Sequence, residues 1–265
     1  MLRFERVFFH YRKDRPVLRD LSFTIGRGEF VSIVGGNGSG KSTLARLIDG
    51  LLQPRGGSVC MNGLDPADPA QVRQVRETAG LVFQNPDDQF ITTTVTDEIV
   101  FGLENIRVPR SEMGGRIDEA LRLVRLEGYA DSAPHELSGG QKQRAAIAAV
   151  LAMRPKLVVF DEATSMLDPR GRADMMELMR ELSRRGMTIV QITHHMEEVM
   201  ESGRVLLLDQ GRIAFDGDPG LFFQKADLER YALDKPFGAR VHDKLGLRGA
   251  PAADWKKSVK AQWPI

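Results

Sequence analysis

The chain has 265 residues, of which 42% are hydrophobic and 28% are charged, so it is long enough to bury the core of one large domain or of two linked ones. Its 37 Lys and Arg residues almost balance its 36 Asp and Glu residues, and the net charge of +1 excludes a whole-molecule attraction to nucleic acid or anionic lipid. The single cysteine, Cys60, excludes an internal disulfide and a metal site made of several cysteines.

The sequence predicts neither a signal peptide nor a membrane-spanning helix. The N-terminal stretch MLRFERVFFHYRKD places charges among its apolar residues, unlike the apolar centre of a signal peptide. The most apolar uninterrupted run, from Ala145 to Met153, is far shorter than the roughly 20 residues needed to cross a bilayer. We therefore expect a cytoplasmic protein.

The first part of the chain has the pattern of strands. Alternating apolar positions in MLRFERVFFHY and VLRDLSFTI predict two half-exposed strands, and FVSIVGG predicts a short buried strand that runs into glycines. The stretch from Lys41 to Leu52 predicts a helix, and GGSVCMNG and AGLVF predict two further short strands.

From Gln84 to about Arg154 the pattern becomes mostly helical, as in RIDEALRLVRL, and after Pro155 buried strands return in KLVVFD, MTIVQITH and RVLLLD. RADMMELMRELSRR predicts a helix between the first two of these strands, and DQGRIAFDG predicts a hairpin after the third. Strands that alternate with helices predict an α/β protein with a largely parallel sheet covered on both faces. We therefore expect a nucleotide-binding α/β core of residues 1–83 and 155–218, an inserted helical subdomain of residues 84–154, and a C-terminal extension of residues 219–265.

The stretch GGNGSGKST has the Walker A spacing and lies between a predicted strand and a predicted helix. Its glycines let backbone N–H groups face phosphates, Lys41 can reach the β and γ oxygens, and Ser42 can ligate Mg²⁺. A chance glycine turn would not explain why strand, lysine and helix are in register. The residues expected to hold a nucleotide here are Gly35, Asn37, Gly38, Ser39, Gly40, Lys41, Ser42 and Thr43.

Further candidates lie at the ends of three predicted strands. In KLVVFDEATS, Asp161 would hold Mg²⁺ directly or through water, and Glu162 would polarise the attacking water. An acidic pair after a strand is often only the start of a helix, but the phosphate loop upstream favours the catalytic interpretation. Gln84 offers a neutral amide to Mg²⁺ or to the water. QITHHM ends a predicted strand with His194 and His195, of which at most one can point into the site, because neighbouring strand residues face opposite ways; the residues alone do not choose between them.

The stretch LSGGQKQR, Leu137 to Arg144, looks like half of a phosphate site. Ser138 and two glycines lead into a helix-forming run, so that free N–H groups and a helix dipole could hold an anion. The stretch has no lysine between its glycines, however, and a complete phosphate loop lies upstream. The simpler alternative is an ordinary serine cap of a helix.

Taken together, GGNGSGKST, Gln84, LSGGQ, LVVFDE, SMLD and His194 resemble, in this order, the ATPase subunit of ABC transporters. The resemblance spans residues 1 to about 218. It implies a P-loop NTPase (RecA-like) core with a mostly parallel sheet, an antiparallel β subdomain and an inserted α-helical subdomain. It also implies a dimer in which ATP and Mg²⁺ bind between the phosphate loop of one subunit and the LSGGQ stretch of another, here Ser138, Gly139, Gly140 and Gln141.

The resemblance implies roles for three more residues. Asp168, in SMLD, would lie at the dimer interface, and His194 would contact the γ-phosphate, although a second histidine, His195, departs from the usual family pattern. Tyr11 resembles the aromatic residue that stacks on adenine in this family; a plain strand aromatic is the alternative.

The stretches FQNPDDQFITTTVTDEIVFGLEN and DEATSMLDPRGR are most similar to the ATPases of energy-coupling factor transporters, which import vitamins or transition-metal ions such as cobalt or nickel. The resemblance implies a second ATPase subunit of the same or a different kind, a membrane-embedded coupling protein that docks beside Gln84, a substrate-capture subunit, and a peripheral position at the cytoplasmic face of the membrane. We hypothesise that Asp87 and Asp88 pair with basic residues of the coupling protein. An exposed acidic turn is the alternative.

Two other interpretations remain open at this point. The basic tail with Trp255 and Trp263 suits a membrane surface, or else a flexible or dimer-packing segment. A soluble ABC ATPase acting on nucleic acid or ribosomes is the alternative function, but the near-zero net charge disfavours it, because binding to a phosphate backbone depends on many basic contacts.

Overall fold

A computed structural model describes residues 1–246 of the chain. The interpretation of the tail with Trp255 and Trp263 lies outside the described residues. Within residues 1–246 there are nine strands, numbered in chain order: β1 Leu2–Arg12, β2 Arg15–Ile25, β3 Phe30–Val34, β4 Gly56–Met61, β5 Ala79–Val82, β6 Leu157–Asp161, β7 Thr188–Ile192, β8 Arg204–Asp209 and β9 Arg212–Gly217.

The same residues form nine α-helices, and short 3₁₀ turns occur between several elements. In chain order the helices are α1 Lys41–Ile48, α2 Val72–Thr78, α3 Val95–Asn105, α4 Arg110–Val124, α5 Gly139–Ala152, α6 Pro169–Arg184, α7 Met196–Val199, α8 Pro219–Lys225 and α9 Phe237–Leu245. None of the helices in residues 1–246 has the length and apolar character needed to span a membrane.

The strands form two sheets. The larger has the order β5-β6-β7-β3-β8-β9 and is parallel except for β9, which returns antiparallel to β8. The smaller is antiparallel, with the order β2-β1-β4. Every residue of β3, β6 and β7 is buried, because both faces of the large sheet are covered. The predicted α/β fold, with a mostly parallel sheet and an antiparallel β subdomain, is confirmed.

Three groups of buried residues hold these layers together. One face of the large sheet packs with α1 against the small sheet, where Phe4 and Leu21 are almost completely buried. The other face packs against α5 and α6, and this core continues into α3 and α4. A third group, with Phe222 and Phe223 at its centre, packs α8 and neighbouring residues against β8. Burying aromatic side chains of this size contributes about 2 to 3 kcal/mol each.

Several boundaries differ from the sequence-based expectation. Helix α1 ends at Ile48 rather than Leu52, because Gly50 takes a left-handed backbone conformation with φ 72°. Residues 84–94 contain only a 3₁₀ turn at Pro86–Asp88 and no α-helix. Helix α3 begins only after Thr94, whose side chain accepts a hydrogen bond from the N–H of Asp97 at 3.0 Å. The buried carboxylate of Glu98 accepts hydrogen bonds from backbone N–H groups before this cap, which holds that segment as a loop.

Candidate functional site

The loop between β3 and α1 has a backbone that only glycine can adopt at two positions. Gly35 has φ 150°, and a Cβ there would lie 2.1 Å from the carbonyl oxygen of Leu208. Gly40 has φ 110° and precedes α1 without a side chain to cap it. The first N–H groups of α1 are therefore available to an anion instead of a capping residue.

Lys41 lies inside this loop with only 7% of its surface exposed. Its Nζ donates hydrogen bonds to the carbonyl oxygens of Gly35 at 2.8 Å and Gly36 at 3.1 Å. Burial lowers the pKa of Lys41, and the carboxylates of Glu162 and Asp161 act in the opposite direction. The ammonium group is thus held where the loop closes and close to two acidic groups.

Asp161 is the last residue of β6 and faces the start of α1. Ser42 Oγ donates a hydrogen bond to Asp161 Oδ1 at 3.3 Å. Burial raises the pKa of Asp161, whereas the hydrogen bond from Ser42 lowers it. In residues 1–246 no group of three or more His, Cys, Asp or Glu could hold a metal ion by itself. Two oxygen ligands are nevertheless a suitable start for Mg²⁺, which usually completes its shell with phosphate oxygens and water.

Two of the predicted catalytic residues contact the third, Glu162. Its Oε2 accepts a hydrogen bond from Gln84 Nε2 at 3.0 Å and lies 3.3 Å from His194 Nδ1. Its backbone is left-handed, with φ 50°, which costs roughly 1 kcal/mol for a residue with a side chain. The N–H of Glu162 donates to the carbonyl of Ile192 at 3.0 Å, so the strained turn is anchored to the end of β7.

The two neighbouring histidines have different surroundings. His194 has a half-exposed side chain beside Glu162. His195 is partly buried against α6, where Arg172 Nη1 lies 3.0 Å from its Nε2. Burial lowers the pKa of His195, and the neighbouring His194 and Arg172 add to this, while Glu198 opposes it. Only one histidine lies beside Glu162, as expected, but strand alternation is not the reason, because β7 ends at Ile192 and both histidines lie beyond it.

Tyr11 lies near the end of β1, beside the first turn of α1. Its hydroxyl is 3.3 Å from Thr43 Oγ1, and its ring makes an edge contact with Phe9 at a centroid distance of 4.9 Å. The residue is 54% exposed. A flat aromatic surface is thus available next to the glycine loop.

The LSGGQ stretch forms the start of α5. Ser138 is its cap: its Oγ accepts from the N–H of Gln141 at 3.3 Å, and the Gln141 side chain accepts from the N–H of Ser138 at 2.9 Å. The serine-cap interpretation is therefore correct as local structure, and it leaves the hydroxyl proton of Ser138 able to donate. Ser138 and Gly139 are exposed. Gln141 is engaged in its own helix.

Asp168 occupies a similar place at the start of α6. Its Oδ1 accepts a hydrogen bond from the N–H of Gly171 at 2.6 Å, and the residue is exposed. Both residues expected at a subunit interface, Ser138 and Asp168, are thus exposed caps of helices.

The acidic turn after Gln84 is exposed and makes contacts within the chain, and its pairing with a coupling protein stays a hypothesis. Asp87 forms an ion pair with Lys142 of α5, with Nζ and Oδ1 2.7 Å apart, and Asp88 accepts from Asn85 Nδ2 at 3.2 Å. Asp87 therefore already has a basic partner within the chain. A groove of about 520 Å³ lies close by, between the large sheet and α3, lined in part by Leu51, Phe83, Glu98, Phe101 and Met153.

Sequence reasoning missed the buried polar residues beneath the histidines. Thr193, Gln191 and Glu198 are each at least 95% buried, and the side chains of Thr193 and Gln191 both donate hydrogen bonds to Glu198. A threonine directly before the histidine and a glutamate in the next helical turn were visible as a pattern, but only the fold shows that they touch.

Comparison with known proteins agrees with this geometry. The family model described as ABC transporter matches residues 18–165. The energy-coupling factor transporter ATP-binding protein EcfA1 of Halalkalibacterium halodurans is 47% identical over 247 residues, which cover 92% of this chain and 89% of the relative. The solved structure of cbiO1 from Clostridium perfringens, part of the ABC transporter complex cbiONQ, matches with a TM-score of 0.78 and 34% identity over 92% of this chain and 95% of that one. A dimeric post-hydrolysis structure of the ATP-binding cassette MJ0796 with ADP and phosphate matches with a TM-score of 0.75 and 29% identity over 83% of this chain and 99% of that one.

Proposed function

This chain belongs to the ABC transporter family, among the energy-coupling factor ATP-binding proteins, and from that premise we propose which residues carry its activity and which partners it works with. It is the ATP-binding and hydrolysing subunit of an import complex. Because the relatives are transporter subunits, the alternative of a soluble ATPase acting on nucleic acid or ribosomes is not favoured.

The convergence of Gln84 and His194 on Glu162, beside the loop that holds Lys41, is the observation that carries the proposal. Hydrolysis is accelerated by a side chain that polarises or orients water in line with the γ-phosphate, while positive charge and N–H groups hold the phosphates. In this proposal Glu162 is that side chain, with the amide of Gln84 and the imidazole of His194 on either side of it. Lys41 and the loop glycines bind the triphosphate, and the exposed ring of Tyr11 receives the adenine.

Ser42 and Asp161 would hold Mg²⁺, with Gln84 as a further oxygen donor, since their oxygens fit its preference for hard ligands. When bound, the ion neutralises phosphate charge. The chain's own part is to keep these oxygens at the edge of the sheet, and the hydrogen bond from Ser42 to Asp161 supports that arrangement.

The second half of each ATP site would come from another ATPase subunit, either a second copy or a similar chain. Ser138, Gly139 and Gly140 would face the γ-phosphate held by the other subunit's loop, with the positive end of α5 behind them. Exposure of Ser138 and Gly139 supports this, as does the dimeric form of the related cassette. Gln141 would act as the cap that shapes this turn, and Asp168 would lie at the same interface.

We further propose that closure of the two subunits on ATP is passed to membrane partners. The relatives are named transporter ATP-binding proteins, and cbiO1 is part of a complex with other components. The apolar groove beside Gln84 offers a place for a membrane-embedded coupling protein, with a substrate-capture subunit beyond it. The chain would then lie peripherally at the cytoplasmic face of the membrane and serve uptake of a vitamin or a transition-metal ion.

The chain divides, in this proposal, into three functional parts. Residues 1–83 and 155–218 bind nucleotide, residues 84–154 carry the LSGGQ stretch and respond to the partners, and residues 219–265 form an extension. The inserted helices α3 and α4 share one buried core with the large sheet through α5 and α6, so the parts would move as packed neighbours.

ATP hydrolysis by the purified chain, with its ATPase partner if it needs one, tests the proposal. Glu162→Gln should bind ATP, remain as a dimer in the presence of ATP, and hydrolyse it at least about 100-fold more slowly, since general-base action contributes that much. Lys41→Ala should instead weaken ATP binding. Hydrolysis by Glu162→Gln at the wild-type rate would contradict the proposal.

A further inference from the structure

A buried carboxylate lies directly beneath the turn that carries His194. Glu198, in α7, is 5% exposed. Its Oε2 accepts hydrogen bonds from Thr193 Oγ1 at 2.7 Å and from Gln191 Nε2 at 2.6 Å. A carboxylate is costly to bury unless such donors reach it, so these contacts define its position closely.

The hydroxyl of Thr193 links this carboxylate to the turn. It donates to Glu198 and accepts from the N–H of His195 at 3.0 Å, which uses its donor and one acceptor site. The N–H of Thr193 in turn donates to the carbonyl of Ile33 in β3, at 3.3 Å. The turn is thereby fixed both to α7 and to the strand that leads into the glycine loop.

The His194 ring depends on the backbone of this turn. Its side chain is 51% exposed, and its polar contact is the one with Glu162 Oε2 at 3.3 Å. A half-exposed ring with a single such contact can rotate and shift with its Cα. Positional errors of about 1 Å at a catalytic group can cost about 100-fold in rate.

We propose that Glu198 is a positioning residue for ATP hydrolysis, acting through the Thr193 hydroxyl to hold His194 beside Glu162. The inference rests on the proposed function and adds to it a residue that does not touch the nucleotide. A leucine or methionine in place of Glu198 would avoid the cost of a buried charge, but it would leave the Thr193 hydroxyl and the Gln191 amide without their acceptor.

Two pairs of variants separate the hydrogen bond from the bulk of the side chain. Thr193→Val keeps the shape and removes the hydroxyl, whereas Thr193→Ser keeps the hydroxyl. Glu198→Met removes the acceptor, whereas Glu198→Gln keeps an oxygen that can accept both bonds. Glu197→Gln, on the exposed face of the same helix, is the matched control.

The measurement is steady-state ATP hydrolysis by the assembled ATPase dimer, with kcat and KM determined separately and thermal unfolding recorded for each variant. Thr193→Val and Glu198→Met should lower kcat about 10- to 100-fold while KM for ATP changes less than about 3-fold. Thr193→Ser, Glu198→Gln and the control should stay within about 3-fold of the wild-type kcat. If one disruptive variant fails to fold, the other decides the result.

A double-mutant cycle with His194→Ala identifies the route of the effect. Because the proposed action passes through His194, Thr193→Val should cause no further loss of kcat in the His194→Ala background. An equal loss in both backgrounds, or an unchanged kcat in Thr193→Val and Glu198→Met, would overturn the positioning role. If Glu162→Gln also hydrolyses ATP normally, the proposed function itself has failed; if Glu162→Gln is inactive, only the positioning role has failed.

Discussion

One carboxylate oxygen of Glu162 is contacted by two side chains that follow the ends of two other strands. Gln84 follows β5 and His194 follows β7, while Glu162 itself follows β6, and these strands are neighbours in the sheet. The left-handed backbone of Glu162 turns its side chain toward both. Residue type and strand position were visible in the sequence, so these candidates could be predicted. The choice of His194 over His195 came only from the family resemblance, because the position of each ring depends on how the chain turns after the strand has ended.

The partly buried carboxyl group of Asp49 has a strongly raised pKa. Asp49 directly follows α1, and burial raises its pKa from the ordinary value of 3.8 to about 7, although Arg76 acts in the opposite direction. Because the pKa is raised in the folded state, the contribution of the neutral carboxyl group to the free energy of unfolding is fully present below about pH 4. This contribution is lost as the pH rises through 7. Ionisation of Asp49 should therefore lower the free energy of unfolding by at most about 4 kcal/mol at pH 8.

Asp49→Asn should accordingly increase the free energy of unfolding, and the increase should be larger at pH 8 than at pH 5. Urea denaturation at the two pH values measures this, with Asp131→Asn, at an exposed position, as the control expected to show little change at either. An equal effect of Asp49→Asn at both pH values would show that the carboxyl group is not held in its neutral form by burial.

At the scale of elements, the helix starts differ in a way that fits their proposed roles. Helices α5 and α6 are capped by Ser138 and Asp168, whereas α1 follows Gly40 and has no side-chain cap. The uncapped N–H groups of α1 are the ones that a triphosphate would satisfy. At α5 and α6 a side chain of the protein accepts hydrogen bonds from the first N–H groups, whereas at α1 a bound triphosphate would accept them.

Asp168 allows the capping role to be separated from any role between subunits. Asp168→Ala should lower the free energy of unfolding by about 1 kcal/mol, because the hydrogen bond to the N–H of Gly171 is lost. Asp168→Asn should leave it nearly unchanged, since asparagine caps as well as aspartate does. Chemical denaturation of the isolated subunit measures both, and equal destabilisation by the two variants would contradict the capping role.

Local sequence patterns predicted most of the strands but not the loop before α3. The half-exposed strands β1 and β2, the buried strands β3, β6 and β7 and the hairpin of β8 and β9 could be predicted, because alternation and apolar runs are local patterns. The loop before α3 could not, since it is held by Glu98 further along the chain. The ion pair of Asp87 with Lys142 could not be predicted either, because the two residues are 55 positions apart in the sequence.

In the proposed dimer, each whole chain would contribute two different halves to the ATP sites. The Lys41 loop belongs to the nucleotide-binding core, and the Ser138 turn begins a helix of the inserted part. Binding energy from both sides of one ATP would hold two subunits together, and loss of the γ-phosphate would remove the contact to the serine turn. Nucleotide state and subunit distance would be coupled in this way, and a membrane partner in the groove would follow the cycle.

The structure of the Glu162→Gln chain with ATP and Mg²⁺, in complex with a second copy or with the ATPase subunit that co-purifies with it, tests this claim most directly. The account predicts that Lys41 contacts the triphosphate from one side, and that Ser138 of this chain lies within hydrogen-bond distance of the γ-phosphate held by the other subunit. An ATP-bound assembly, competent for hydrolysis with Glu162 restored, in which Ser138 is exposed to solvent and far from any nucleotide would contradict it.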